Sequence, residues 1–166
     1  MHWAIPLVAS IAAPVVAGSA VGALTTSDRA RAEYARTRKP SWSPPGWVFG
    51  VVWPVLYALM GIAAWLVWRA PSSGGGAGGA GGAEAKRWAL QLYAIQLAIN
   101  LAWSFVYFGL GARGAALVVL LALDALVLAT ALAFARVDPR AAGLLVPYIA
   151  WLAVATALNA SVVALG

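Results

Sequence analysis

The chain contains no cysteine, a single histidine (His2) and two methionines (Met1 and Met60). Without thiols there is no disulfide, no thiolate nucleophile and no iron–sulfur cluster. A zinc or haem-iron site needs a convergent ligand set that this inventory does not supply, so neither a metal nor a cofactor is expected. No Ser-His-Asp set is available in the apolar segments. The glycines between 74 and 82 are not followed by the Lys-Ser/Thr of a phosphate-binding loop. Ordinary hydrolase, kinase and ATPase chemistry is therefore disfavoured. Charge is scarce as well: 10% of the 166 residues are charged, against about 25% in a soluble domain. The net charge of +6 is not a nucleic-acid footprint, because the basic residues sit in short connections beside apolar runs, where they set membrane orientation.

What is abundant is apolar surface. Hydrophobic residues make up 63% of the chain, and the mean hydropathy is +0.85. A spanning helix needs about 20 mostly apolar residues, and five segments qualify, at roughly 4–25, 46–68, 87–109, 114–135 and 141–164. They lack the polar/apolar alternation of barrel strands. The expected fold is an all-α membrane protein, with five transmembrane helices in one compact bundle forming a single domain over 1–166. The first run is too long for a signal-peptide core and has no basic segment before it, so it reads as a retained helix. Basic residues divide almost evenly between the two sides, six against five. The first connection, with Arg29, Arg31, Arg36, Arg38 and Lys39, dominates. It is placed in the cytoplasm, with the N-terminus outside.

Between the first two spans, Thr25, Thr26 and Ser27 can cap a short helix over 29–37, which Pro40, Pro44 and Pro45 would end. The segment Lys39-Pro-Ser-Trp-Ser-Pro-Pro-Gly-Trp-Val-Phe49 is then a rigid hinge, with Trp42 and Trp47 at the level where aromatic rings anchor a bilayer interface. Residues 70–83 form a glycine-rich, low-complexity linker. In the first span, Gly18 and Gly22 have the spacing that permits close helix packing, Pro6 and Pro14 suggest a bend, and chance in a Gly/Ala-rich chain remains the alternative.

Polar and aromatic residues recur at helical spacing. Trp53 and Tyr57 mark the second span. Tyr93, Gln96, Asn100, Trp103 and Tyr107 mark the third, and Tyr148, Trp151, Ala155 and Asn159 the fifth. Two readings stand: hydrogen-bonding glue between helices, or a cavity with flat aromatic walls for a large planar apolar ligand. Asp124, alone within the fourth span, is costly there, at about 2.5–3.5 kcal/mol. It has no second carboxylate or histidine for a relay. Accepting a hydrogen bond from a Trp, Tyr or Asn of a neighbouring helix is the favoured role.

The run from Lys39 through Trp53-Pro-Val-Leu-Tyr57-Ala-Leu-Met-Gly61 closely resembles the translocator protein, or tryptophan-rich sensory protein (TspO), family. So do Asn100-Leu-Ala-Trp-Ser-Phe-Val-Tyr-Phe-Gly109, the segment from Ala116 to Asp124, Pro147-Tyr-Ile-Ala-Trp151, and the stretch from Ala155 to Asn159. The resemblance covers the second to fifth spans in order and suggests a bacterial member. It implies a membrane receptor, sensor or transporter, often dimeric, that binds porphyrins such as protoporphyrin IX, sterols and benzodiazepine-type drugs. Tyr34, Trp53, Asn100, Trp151 and Ala155 match the family's ligand-contacting positions. The stripes add Tyr57, Gln96, Trp103 and Tyr148 as candidate binding residues. Trp53 and Trp151 also match tryptophans linked to light-dependent porphyrin breakdown, so a photo-oxidative enzyme is one alternative and a structural assembly subunit another. The long glycine linker departs from the family, and so does the missing C-terminal Tyr/Arg of the cholesterol-recognition pattern, which makes specific sterol binding doubtful. A metal-free tetrapyrrole would stack on Trp53 and Trp151, pair its propionates with cations of the first connection, and need no axial ligand. Expected partners are therefore porphyrin or a similar small molecule, membrane lipid, and a second copy packed through Ala94, Ala98 and Ala102. The expected location is a bacterial inner membrane.

Overall fold

The computed structural model describes residues 4–71 and 80–166, leaving aside the side chains of 29–31, 33, 80 and 81. Its elements are α1 (Ala4–Thr25), α2 (Asp28–Arg36), α3 (Gly46–Arg69), α4 (Ala80–Ser104) running into a π-helical turn (Phe105–Gly109), α5 (Arg113–Val137) and α6 (Pro139–Leu165). Five of the helices, all but α2, are long and apolar enough to cross a bilayer. The expected five-helix all-α membrane fold is thus observed. Most of the 70–83 linker falls outside the described residues, as do His2 and the side chains of Arg29 and Arg31. The one visible difference is that α4 begins at Ala80, so residues 80–83 are helical.

The ends of the helices follow from local chemistry. Proline 71 has no N–H and cannot extend α3, whose last carbonyls, of Leu66 and Val67, are met by the Ala70 N–H. Asp138 caps α6, its carboxylate accepting from the Arg140 N–H at 2.9 Å, with Pro139 in the first turn, where its missing N–H costs nothing. Gly111, at φ 65°, makes the turn that joins the π-helical segment to α5.

Neighbours in the bundle pair as α1 with α3, α3 with α6, α6 with α5 and α5 with α4. The most deeply buried side chains come from α3 to α6, whereas α1 buries only Pro14 and Thr25. α1 is held by close backbone approach instead. A Cβ at Gly18 would collide with the Tyr57 ring, and one at Gly61 with the backbone of Ser10 and Ile11. Gly22, four residues after Gly18, has open space before it. The Gly18/Gly22 pair is therefore not a helix seam: one glycine seats a ring and the other faces a void.

Candidate functional site

That void is a cavity of about 630 Å³ between α1, α2, α3 and the end of α4. Its size lies within the ~300–1,000 Å³ usual for small-molecule sites. Gly18, Gly22 and Ala23 of α1 form a nearly bare wall. Phe49, Trp53 and Tyr57 of α3 and Trp103 of α4 form the aromatic one, and Tyr34 closes it from α2. Among the described residues, none that lines it is charged. Pro54 has no N–H to give the carbonyl four residues earlier, that of Gly50, so a backbone acceptor loses its helical donor where both residues border the cavity.

The aromatic wall is layered. Trp53 stacks on Tyr57 at 5.5 Å between ring centroids, and sits 6.3 Å from both Trp103 and Tyr148. Behind it runs a buried polar network. The Tyr57 hydroxyl donates to Asn100 Oδ1 at 2.7 Å, and Asn100 Nδ2 donates to the Tyr148 hydroxyl at 2.9 Å. Tyr148 in turn donates to Gln96 Oε1 at 3.2 Å, and Gln96 Nε2 points at the Met60 sulfur at 3.7 Å. Helical spacing of four brings Gln96 and Asn100 to one face of α4, and both are almost fully buried. Cavity wall and hydrogen-bonded network are thus made by different residues. Tyr34, Trp53, Tyr57 and Trp103 line the cavity, while Gln96, Asn100 and Tyr148 are the hydrogen-bonded floor behind it.

Trp151 and Ala155 of α6 are not among the cavity-lining residues. Trp151 packs edge-on against Phe49 at 5.5 Å, one ring removed from the void, and Ala155 is buried in the core. Three indole N–H groups, of Trp65, Trp103 and Trp151, are buried without a hydrogen-bond partner, and of these Trp103 borders the cavity.

α2 lies across the mouth. The Tyr34 ring packs edge-to-face on Phe49, Tyr107 and Phe108 at 6.1 to 6.5 Å. Both Tyr107 and Phe108 come from the π-helical turn, where Leu110 N–H reaches five residues back to Phe105 O at 3.0 Å. Such a turn widens the helix and often occurs at functional sites. Burial pushes the Tyr34 hydroxyl above the usual phenol range, and the nearby Ser43 hydroxyl pulls it partly back, though the two do not meet hydrogen-bond geometry. Tyr34 therefore stays neutral at ordinary pH. Lys39 folds over the same ring, 3.9 Å from its centroid, and donates to the Tyr34 carbonyl at 2.8 Å. Arg36 and Arg38 are exposed beside it. Arg113 at the start of α5 donates to Thr37 Oγ1 at 2.8 Å, tying the end of α2 to the bundle. With its amide oriented to suit its neighbours, nitrogen toward Arg113 O at 3.1 Å and oxygen toward Leu117 N–H at 3.2 Å, Asn159 clasps the first turn of α5 from α6.

Asp124 lies away from the cavity. Its carboxylate accepts from Thr156 Oγ1 of α6 at 2.8 Å. The donor is a threonine rather than the expected Trp, Tyr or Asn, because α5 and α6 pack closely enough for a short side chain to reach. Asp124→Asn keeps an acceptor for Thr156 and should change thermal stability by less than about 1 kcal/mol. Asp124→Leu should lose the clasp and the difference should be visible in a thermal-shift comparison of the two.

Sequence reasoning missed the α1 wall, Phe49, Gly50 and Phe108. Only the Gly50–Pro54 spacing of four carried a readable signal.

A five-helix membrane protein with a tryptophan-walled cavity under a short amphipathic cover is the class that fold and site define. The TspO/MBR family model matches residues 10–165, and the chain belongs to that family. It is 46% identical over 126 residues to the human Translocator protein, covering 76% of this chain and 70% of that one. It is 38% identical over 159 residues to the Tryptophan-rich sensory protein of Cereibacter sphaeroides, covering 96% and 89%. With the Tryptophan-rich protein TspO of Chlorobaculum tepidum it shares 38% over 136 residues, covering 80% and 78%.

Proposed function

We propose that the protein is a membrane receptor, acting as a sensor or transporter, that holds a metal-free porphyrin such as protoporphyrin IX, or a similarly flat apolar molecule, in this cavity. The observation that carries the reading is the pairing of walls. A glycine-rich face on α1 stands opposite Trp53 and Trp103, so a planar ring system meets a flat surface on each side. No charged side chain lines the cavity among the described residues, so anionic substituents are best met at the mouth, where Arg36, Arg38 and Lys39 lie. The ligand needs no axial metal ligand, which suits a chain whose only histidine is His2.

Protoporphyrin IX should quench the tryptophan fluorescence of the purified protein saturably. Trp53→Leu should weaken binding about tenfold or more, as expected when a stacked aromatic anchor is truncated. Trp151→Leu, one ring further away, should weaken it less. Absence of saturable quenching in the wild type, or equal effects of the two substitutions, sinks the reading.

Two finer assignments go with it. The cover helix α2 is placed on the cytoplasmic side of a bacterial inner membrane, because its connection holds the largest basic cluster. A homodimer through the exposed stripe Ala94, Ala98 and Ala102 on α4 is supported by its small residues, which permit close backbone approach.

A further inference from the structure

The opposite membrane end carries a second concavity, about 490 Å³, that is independent of what fills the aromatic cavity. It is lined by Ala83, Lys86, Arg87, Leu90, Gln91 and Ala94, which are spaced three and four apart and so form one stripe along α4. Past Ala83 the stripe carries two cations near the start of the helix, then Leu90 beside the Gln91 amide one turn on, then Ala94. A phospholipid likewise runs from an anionic phosphate past ester oxygens to an acyl chain. Trp68 and Trp88 are exposed at the same end, and indole rings of this kind mark the headgroup level.

Among the described residues the two cations have no carboxylate partner. Lys86 is oriented by donating to the Ala70 carbonyl at 3.1 Å, while the Arg87 side chain is exposed. Glu84 is the only carboxylate of α4, and neither cation forms an ion pair with it among the described residues. The connection 72–79 contributes no charge of either sign. A second copy does not fill the groove. Two copies in one membrane share orientation, so an α4–α4 pairing centred on Ala98 and Ala102 must diverge toward this end, where Lys86 and Arg87 would otherwise meet the same residues.

We infer that this groove is a binding site for an anionic phospholipid, with Lys86 and Arg87 on the phosphate, Gln91 near the ester level and Leu90 and Ala94 against an acyl chain. Basic pockets beside spanning helices recognise anionic headgroups by this combination. Detergent-purified protein would be titrated with dioleoyl phosphatidylglycerol or dioleoyl phosphatidylcholine, and lipid adducts followed by native mass spectrometry. The wild type should take up its first phosphatidylglycerol at about tenfold lower lipid concentration than phosphatidylcholine. Lys86→Gln with Arg87→Gln should abolish that preference. Arg87→Gln alone, which leaves the Lys86–Ala70 tie intact, should remove at least half of it. Arg140→Gln, at the same membrane end but outside the groove, should keep it. The proposal is overturned if the wild type shows no preference, or if Arg140→Gln removes it as fully as the groove variants. It is also overturned if excess inorganic phosphate abolishes the preference, which would mark a free-anion site. Efficient crosslinking of two copies through Leu90→Cys in phosphatidylglycerol-containing membranes would make the groove a subunit interface and overturn it too.

Discussion

Asn100→Leu should lower the stability of the bundle by about 2–3 kcal/mol and weaken ligand binding, although Asn100 does not line the cavity. The side chain is fully buried and serves two tyrosines at once, accepting from Tyr57 and donating to Tyr148. Leucine keeps the same heavy-atom count and branching, though its methyl groups are bulkier, so the chief loss is polar. Hydrogen bonds between spanning helices average only about 0.6 kcal/mol, because partly unfolded chains in the bilayer find other partners. Two bonds alone would then cost little more than 1 kcal/mol. The larger figure comes from the Tyr57 hydroxyl, which would be left in a dry interior with no acceptor. Tyr148 suffers less, since it still donates to Gln96 at 3.2 Å.

This separates into a test. Tyr57→Phe removes the stranded hydroxyl, so Asn100→Leu combined with Tyr57→Phe should cost clearly less than the two single changes added, by about 1 kcal/mol. The ligand effect follows because Tyr57 supports Trp53 by stacking at 5.5 Å. Asn100 is thus a positioning residue: it holds a tyrosine that holds a tryptophan. Thermal unfolding and protoporphyrin titration of the three variants would measure both links. Strict additivity would mean that the network is incidental.

The network was legible in the sequence and the cavity wall was not, for a definite reason. Gln96, Asn100 and Tyr148 advertise themselves, because an amide or phenol within an apolar span must find a partner, and helical spacing says which face it uses. The five spans were legible by the same logic, since a bilayer admits only helices or closed barrels and these runs lack the alternation of barrel strands. Periodicity could not tell wall from floor: Trp53 and Asn100 both belong to inward stripes, and only the path of the backbone decides which meets the void. Tyr93 shows the limit of the pattern. It continues the Gln96 stripe by spacing, yet packs on Phe134 of α5 at 6.1 Å, away from the network. The α1 wall is made of what Gly22 and Ala23 do not have, and a missing side chain carries no directional signal. The π-helical turn that brings Phe108 toward Tyr34 has no marker in Phe105-Val-Tyr-Phe-Gly109 either.

The same absence of side chains makes Gly61 the most sensitive position in the packing of α1. Pro14 lacks the N–H that the Ser10 carbonyl would otherwise receive within α1. That carbonyl faces Gly61 of α3, where a Cβ would run into the oxygen and lie 2.7 Å from the Ile11 Cα. The glycine hydrogen in the Cβ direction therefore points at a carbonyl short of a donor, a weak contact that recurs where helix backbones approach closely. A methyl group at Gly18 would meet first the Tyr57 ring, a side chain, which could shift only by disturbing its bond to Asn100 and its stack on Trp53. A methyl group at Gly61 meets main chain, and the helices must part. Gly61→Val should destabilise the protein by at least about 3 kcal/mol and detach α1, since overpacking against backbone has no side-chain relief. Because α1 supplies one wall of the cavity, ligand binding should be lost with it. Gly143→Ala is the control. Nothing lies within 4 Å of a Cβ there, and in the exposed interior of α6 alanine should be neutral or stabilising by up to about 1 kcal/mol. Thermal unfolding, with protease sensitivity of α1 as a second readout, would compare the two. If Gly61→Val unfolds like the control, α1 is not held by backbone contact and the tight α1–α3 approach has no energetic role.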